Sequence, residues 1–114
     1  MPHFIIHCSN SVAQQINPDE FMQQVYDEAE ATGLFDQKDI KVRIAAFEHY
    51  NIGNTKDDFI HVFANIMEGR TDAQKKGLSE RIVTRLKQTF PGVPIISINV
   101  RDFEKASYVN RTMV

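Results

Sequence analysis

The chain is short of the residues that staple secreted proteins and anchor membrane ones. A single cysteine, Cys8, excludes an internal disulfide, and a cytoplasmic, reducing location is expected. Its reading is a small buried apolar residue at a strand end. No apolar run approaches the ~18 residues that span a bilayer, so no membrane role is expected. The opening Met1-Pro2-His3-Phe4-Ile5-Ile6-His7 has neither the basic flank nor the long apolar stretch of a signal peptide. Without secretion, the sequon Asn110-Arg111-Thr112 carries no meaning. Charge of one sign is lacking too. A formal net charge of −2 argues against a nucleic-acid partner, which needs a concentrated basic face. There is no Gly-rich phosphate loop, no GxSxG elbow, no HExxH and no cysteine pair. His3, His7, His49 and His61 therefore read as polar strand residues and not as a metal set.

What remains is an ordinary soluble composition, 42% apolar and 25% charged, in 114 residues that form one domain spanning 1–114. Residues 4–8 read as a short strand, broken by Ser9, Asn10 and Ser11. Asn17-Pro18-Asp19-Glu20 opens a helix: Asn17 caps, Pro18 takes the first helical position, and Glu20 completes a capping box. Phe21, Val25 and Ala29 stripe that helix, and Gly33 ends it. A strand follows over residues 41–50, with a loop over 51–57. Phe59–Met67 alternates most clearly, with Ile60, Val62, Ala64 and Ile66 on one face and Phe59, His61, Phe63, Asn65 and Met67 on the other. Thr71 and Gln74 have capping-box spacing ahead of a second helix striped by Leu78, Ile82, Leu86 and Phe90. Pro91-Gly92 ends it, residues 95–100 form the last strand, and a polar tail follows.

The order is strand, helix, strand, twice. Each unit should be a right-handed β-α-β crossover. The expected fold is α+β: two such units forming a four-stranded mixed sheet with both helices on one face. That arrangement leaves the second face uncovered, and on it the Phe59–Met67 strand presents Phe59, Phe63 and Met67. An apolar patch of that kind marks an interface, so an oligomer is expected.

Two features carry chemistry. Removal of Met1 before the small residue Pro2 would leave a secondary amine at the start of a strand. Burial and nearby cations both disfavour its protonated form, which tunes such an amine toward neutral pH, where a general base works best. Many chains begin Met-Pro with no catalytic purpose, so the dipeptide alone decides nothing. The second feature is cationic. Lys41 and Arg43 alternate onto one strand face, and Arg70 lies at the mouth of the second helix, where free N–H groups favour anions. Arg43 suits bidentate carboxylate binding. The plainer readings are a solvated strand face or an intersubunit ion pair for Lys41 and Arg43, and a surface loop residue for Arg70.

Several segments together resemble the 5-carboxymethyl-2-hydroxymuconate isomerases of the tautomerase superfamily. They are Met1-Pro2-His3-Phe4-Ile5, Cys8-Ser9, Ala31-Thr32-Gly33-Leu34-Phe35, Ile40-Lys41-Val42-Arg43, Phe59-Ile60-His61-Val62 and Glu68-Gly69-Arg70-Thr71. The resemblance spans nearly the whole chain. It implies a tautomerase-like fold assembled as a homotrimer, with no cofactor and no metal. It implies a small dicarboxylate or tricarboxylate dienol as substrate, converted to a 2-oxo-3-ene, within the breakdown of homoprotocatechuate. Pro2 would be the catalytic base, and Arg43, Lys41 and Arg70 would bind substrate. One position departs: the family pattern has arginine where this chain has Lys41. Lysine keeps the charge and loses the planar fork. Two other readings stay open, a different tautomerase activity on phenylpyruvate or oxalocrotonate, and a non-catalytic oligomeric binding protein on the same scaffold.

Overall fold

A computed structural model describes residues 1–114. The first strand, β1 (His3–Ser9), alternates as its sequence demands: Phe4, Ile6 and Cys8 are buried, while His3, Ile5 and His7 are half-buried. The expected break after it is a short helical turn, α1 (Asn10–Ala13), which drops Val12 into the core. Ser9 anchors that turn. Its hydroxyl donates to Asp58 at 2.8 Å and accepts from the Phe59 N–H at 3.4 Å, and Ser11 donates to the same carboxylate.

Helix α2 (Pro18–Ala31) begins where Pro18 places it. Its cap differs from the expected box. Asn17 accepts from the Asp19 N–H at 2.8 Å, and no reciprocal bond from Glu20 forms. The inward face is Phe21, Gln24, Val25 and Ala29, the 3.6-residue period of an amphipathic helix. Gly33 takes a φ of +70° and bonds back to Glu30 at 3.1 Å, a left-handed helix end that glycine adopts without strain.

Strand β2 (Lys41–Phe47) stops three residues before the expected end. The loop beyond it closes on itself: Tyr50 Oη donates to the Lys56 carbonyl at 3.1 Å, and Lys56 Nζ to the Tyr50 carbonyl at 2.8 Å. His49 therefore sits exposed in a bend and not on a strand. Strand β3 (Phe59–Met67) matches its expected bounds, because its alternation is unbroken. Helix α3 (Asp72–Thr89) starts with the full Thr71–Gln74 capping box and buries Leu78, Ile82 and Leu86. Phe90 follows as the helix cap, its ring 4.9 Å from that of Phe21. Strand β4 (Ile95–Phe103) outruns its expected end at Val100, because β3 continues beside it and pairs Asp102 with Ile66 and Phe103 with Met67.

The four strands lie in the order β2-β1-β3-β4. Within each β-α-β unit the strands are parallel, and the units meet through antiparallel β1 and β3. The two long helices cover one face over a single core of 16 buried residues. On the open face, register aligns Lys41, Arg43, Ala45 and Phe47 with His3, Ile5 and His7, then with Phe59, His61, Phe63 and Asn65, then with Ile95, Ser97, Asn99 and Arg101. This face is less bare than expected. Phe59, Phe63 and Met67 are each half-buried, and among its aromatics only Phe47, at 37%, counts as exposed. The rings cover one another: His7 lies 4.8 Å from Phe63 and 5.0 Å from Phe47, and Tyr50 lies 5.2 Å from Phe59.

The helical layer makes a direct test of this packing. Ile82→Ala should lower the unfolding free energy in a urea titration by ~2–5 kcal/mol, the usual cost of emptying a core site. Thr84→Ala, on the exposed side of the same helix, should stay within ~0.5 kcal/mol of wild type. Equal effects at the two positions would contradict the assigned helix face.

Candidate active site

Sheet topology decides what comes together. With β1 and β2 parallel and β3 antiparallel to β1, the starts of β1 and β2 and the ends of β3 and β4 share one end of the sheet. Pro2, Lys41, Met67 and Phe103 are thereby neighbours, and the Glu68–Arg70 connection folds over the same end.

Pro2 is buried, and its carbonyl accepts the Lys41 N–H at 3.1 Å, which locks the chain start onto β2. The terminal amine just ahead of it has its pKa lowered. Burial is the main cause, Lys41 and Arg70 lower it further, and Asp39 opposes them. That amine is Met1's, one residue ahead of Pro2, and Asp39 is a counter-charge that the sequence did not reveal.

Each cation is held differently. Lys41 is exposed, its Nζ donating to the Asp39 carbonyl at 2.7 Å. Arg70 is tethered. Its Nη2 donates to the Leu34 carbonyl at 2.7 Å, its Nη1 to the Met67 carbonyl at 3.2 Å, and its guanidinium lies 5.2 Å above the Phe35 ring. Those bonds use two of its five N–H donors and leave three for a ligand. Arg70 is thus a tethered, half-buried loop residue and not a freely solvated one. The helix-mouth argument weakens, because the capping box already satisfies the Gln74 N–H. Gly69, at a φ of +115°, makes the turn that delivers Arg70, a conformation other residues rarely adopt.

Arg43 stands apart from that group. It is exposed, and its Nη1 lies 3.1 Å from His3 Nδ1. It faces Ile5 across the sheet, one step deeper than Lys41, which faces His3. His3 bridges the two sets. Its pKa is lowered by burial first, then by Arg43, Lys41 and the chain-start amine. The His3 ring also meets Phe103 edge-on at 6.0 Å, and Tyr108 lies 5.6 Å beyond Phe103. Neither His3 nor Phe103 stood out in the sequence. Both become visible only once β4 is known to end beside the start of β1.

By register the open face carries Lys41, Arg43 and Arg101 and no carboxylate. No three His, Cys, Asp or Glu side chains lie close enough to share a metal ion. The concavities of the single chain lie elsewhere, chiefly along the helical layer, and none takes in Pro2, Arg43 or Arg70. No helix is long and apolar enough to cross a membrane.

These features sit on the tautomerase fold, and the protein is an isomerase. It belongs to the 5-carboxymethyl-2-hydroxymuconate isomerase family, whose model matches residues 2–110. A curated relative, the 5-carboxymethyl-2-hydroxymuconate Delta-isomerase of Escherichia coli, is 24% identical over 92 residues, covering 79% of this chain and 73% of its own. A solved 5-carboxymethyl-2-hydroxymuconate isomerase from Deinococcus radiodurans R1 superposes with a TM-score of 0.84 at 18% identity, over 96% of this chain and 88% of that one. A fused 4-OT solved as an asymmetric trimer gives 0.81 at 13% identity, over 96% and 92%.

Cys8 lies outside this chemistry. Burial pushes its thiol up to about 11, so the nucleophilic thiolate is scarce at neutral pH. A thiol reagent at pH 8 should leave the native protein unlabelled and react fully in denaturant. Native labelling at the denatured rate would contradict the buried placement.

Proposed function

We propose that the Pro2 amine, freed by removal of Met1, isomerises a 2-hydroxymuconate-type dienol, with 5-carboxymethyl-2-hydroxymuconate as the substrate. The amine takes the proton of the 2-hydroxyl. Electrons move along the diene so that C2 becomes a ketone and C3 and C4 share the double bond. The protonated amine returns the proton to C5. Atoms and electrons balance without a cofactor. One nitrogen acts as base and then acid, so its pKa must lie near the working pH.

The observation that carries this reading is the placement of the chain start: Pro2 is buried at a sheet end with no carboxylate on its open face, where the Met1 amine one residue ahead has its pKa lowered by burial and by Lys41 and Arg70. Cations on a strand face without carboxylates, with Asp39 as the one opposing charge at the amine, suit a polyanionic substrate. Arg70, already fixed by two carbonyls, offers its remaining donors to the charge that develops on the enolate, at no further ordering cost. Arg43 offers a fork to a carboxylate. Lys41 offers a point charge only.

The site needs walls that one chain does not supply. A homotrimer packed through the open faces would supply them and cover the Phe47, Phe59 and Phe63 cluster. The fused 4-OT relative solved as a trimer supports this assembly. Lys41 in place of arginine favours a second reading, in which the grip on one carboxylate is loosened and a monocarboxylate such as phenylpyruvate is the better substrate.

Intact mass and kinetics test the proposal together. The native protein should lack Met1, and Pro2→Ala should lower kcat by ~100-fold, the low end for loss of a general base. Arg43→Gln should raise KM about ten-fold, the scale of one hydrogen bond to a charged group. Retained Met1 in fully active protein, or a wild-type kcat in Pro2→Ala, would overturn the mechanism. A higher kcat/KM on phenylpyruvate than on the carboxymethyl compound would overturn the substrate assignment and leave the mechanism standing.

A further inference from the structure

We propose that His3 is a positioning residue, whose Nδ1 lone pair accepts Nη1–H from Arg43 and aims the guanidinium at a substrate carboxylate. The inference rests on the reading of Arg43 as a carboxylate binder. It concerns a residue that neither touches the reacting atoms nor is needed for proton transfer.

The geometry has three parts. Arg43 and His3 sit on adjacent parallel strands, one register step apart, and their nitrogens lie 3.1 Å apart. A guanidinium only donates, so Nδ1 must be the unprotonated nitrogen and Nε2 carries the hydrogen. The imidazole is steadied from its other side, where Phe103 meets it edge-on at an interplanar angle of 87°. Arg43 makes no other side-chain bond within the chain, so without His3 nothing in its own subunit fixes the fork. An arginine already fixed in one orientation binds with less entropy to lose.

The surroundings keep the imidazole neutral. From its own strand it faces the chain-start amine, and from β2 it faces Lys41 and Arg43. From β3 it meets neutral Asn65, and from β4 it meets Phe103, with Arg101 beyond Asn65 on the same face. No carboxylate shares that strand face to stabilise an imidazolium. The amine, Lys41 and Arg43 all disfavour a further positive charge. Protonation would turn Nδ1 into a donor, break the bond and set two cations side by side. The consequence is a carboxylate grip that is sound at neutral pH and fails in acid.

The test measures kcat and KM on 5-carboxymethyl-2-hydroxymuconate for His3→Leu, His3→Asn and Arg43→Gln. Leucine removes the acceptor, while asparagine places a non-titrating oxygen near the Nδ1 position. His3→Leu should raise KM about ten-fold with kcat within about three-fold of wild type. His3→Asn should return KM to within about three-fold. Wild-type KM should also rise as the pH falls below the ordinary histidine value of 6.5, and this rise should be absent in His3→Asn. If His3→Leu does not fold, His3→Phe takes its place, keeping a ring against Phe103 without an acceptor. A wild-type KM in the variant without an acceptor, or a loss confined to kcat, would overturn the inference. So would an asparagine variant as impaired as leucine. If Arg43→Gln itself leaves KM unchanged, the carboxylate-binding reading fails and takes this inference with it. A raised KM in Arg43→Gln beside a normal KM in His3→Leu sinks the inference alone.

Discussion

The antiparallel contact between β1 and β3 organises everything else in this molecule. Each β-α-β unit is an independent solution to burying one helix on two parallel strands. Joining the units through β1 and β3 turns the second unit end for end, so the end of β3 meets the start of β1. Parallel pairing within the first unit already sets Pro2 beside Lys41, and this single choice brings both to the Met67–Arg70 connection of the other unit. Joined the other way, Arg70 would lie at the far end of the sheet from Pro2. The pairing is held by a core that both units share, with Phe4 and Ile6 from one and Ile60, Val62 and Ala64 from the other. Core packing and site assembly are thus one constraint.

Given that arrangement, the electrostatics are one-sided. The helix-covered layer carries ion pairs, such as Glu28 with Arg81 and Arg85 at 3.2 and 2.9 Å. The open face has cations and histidines without carboxylates. Asp39, in the loop before β2, is the only group that favours charge on the terminal amine. His61 follows the same logic deeper in the face. Burial lowers its pKa first and His7 next, and its Nδ1 lies 2.6 Å from Ser97 Oγ. Half-buried imidazoles among aromatic rings suit a surface that a second copy covers.

Much of the fold was legible because its signals are local. The alternation of Phe59–Met67, the Thr71–Gln74 box and the glycine at position 33 each specify their own segment, and all three formed as read. Strand ends were not local. Strand β2 stops at Phe47 because its loop folds back through Tyr50 and Lys56, and β4 runs on to Phe103 because β3 is there to pair with it. The site was legible only in its residue types. Pro2, Lys41 and Arg70 were singled out, but their meeting depends on strand order, which alternation does not encode. His3 was weighed with the other histidines as a metal ligand and read as a polar strand residue, because its pairing with Arg43 carries no signal until the two are seen 3.1 Å apart. Arg70 was expected to rely on a helix mouth and instead relies on the carbonyls of Leu34, in the loop after α2, and of Met67, at the end of β3.

The central claim is that this sheet end turns a proline nitrogen into a base that works at neutral pH. An NMR titration of protein labelled with 15N at proline addresses that nitrogen directly. The account predicts one proline resonance that titrates as a free secondary amine, with a midpoint below the ~8 of an ordinary α-amino group. A midpoint above that value, or a Pro2 nitrogen that never titrates because Met1 still acylates it, would contradict the account.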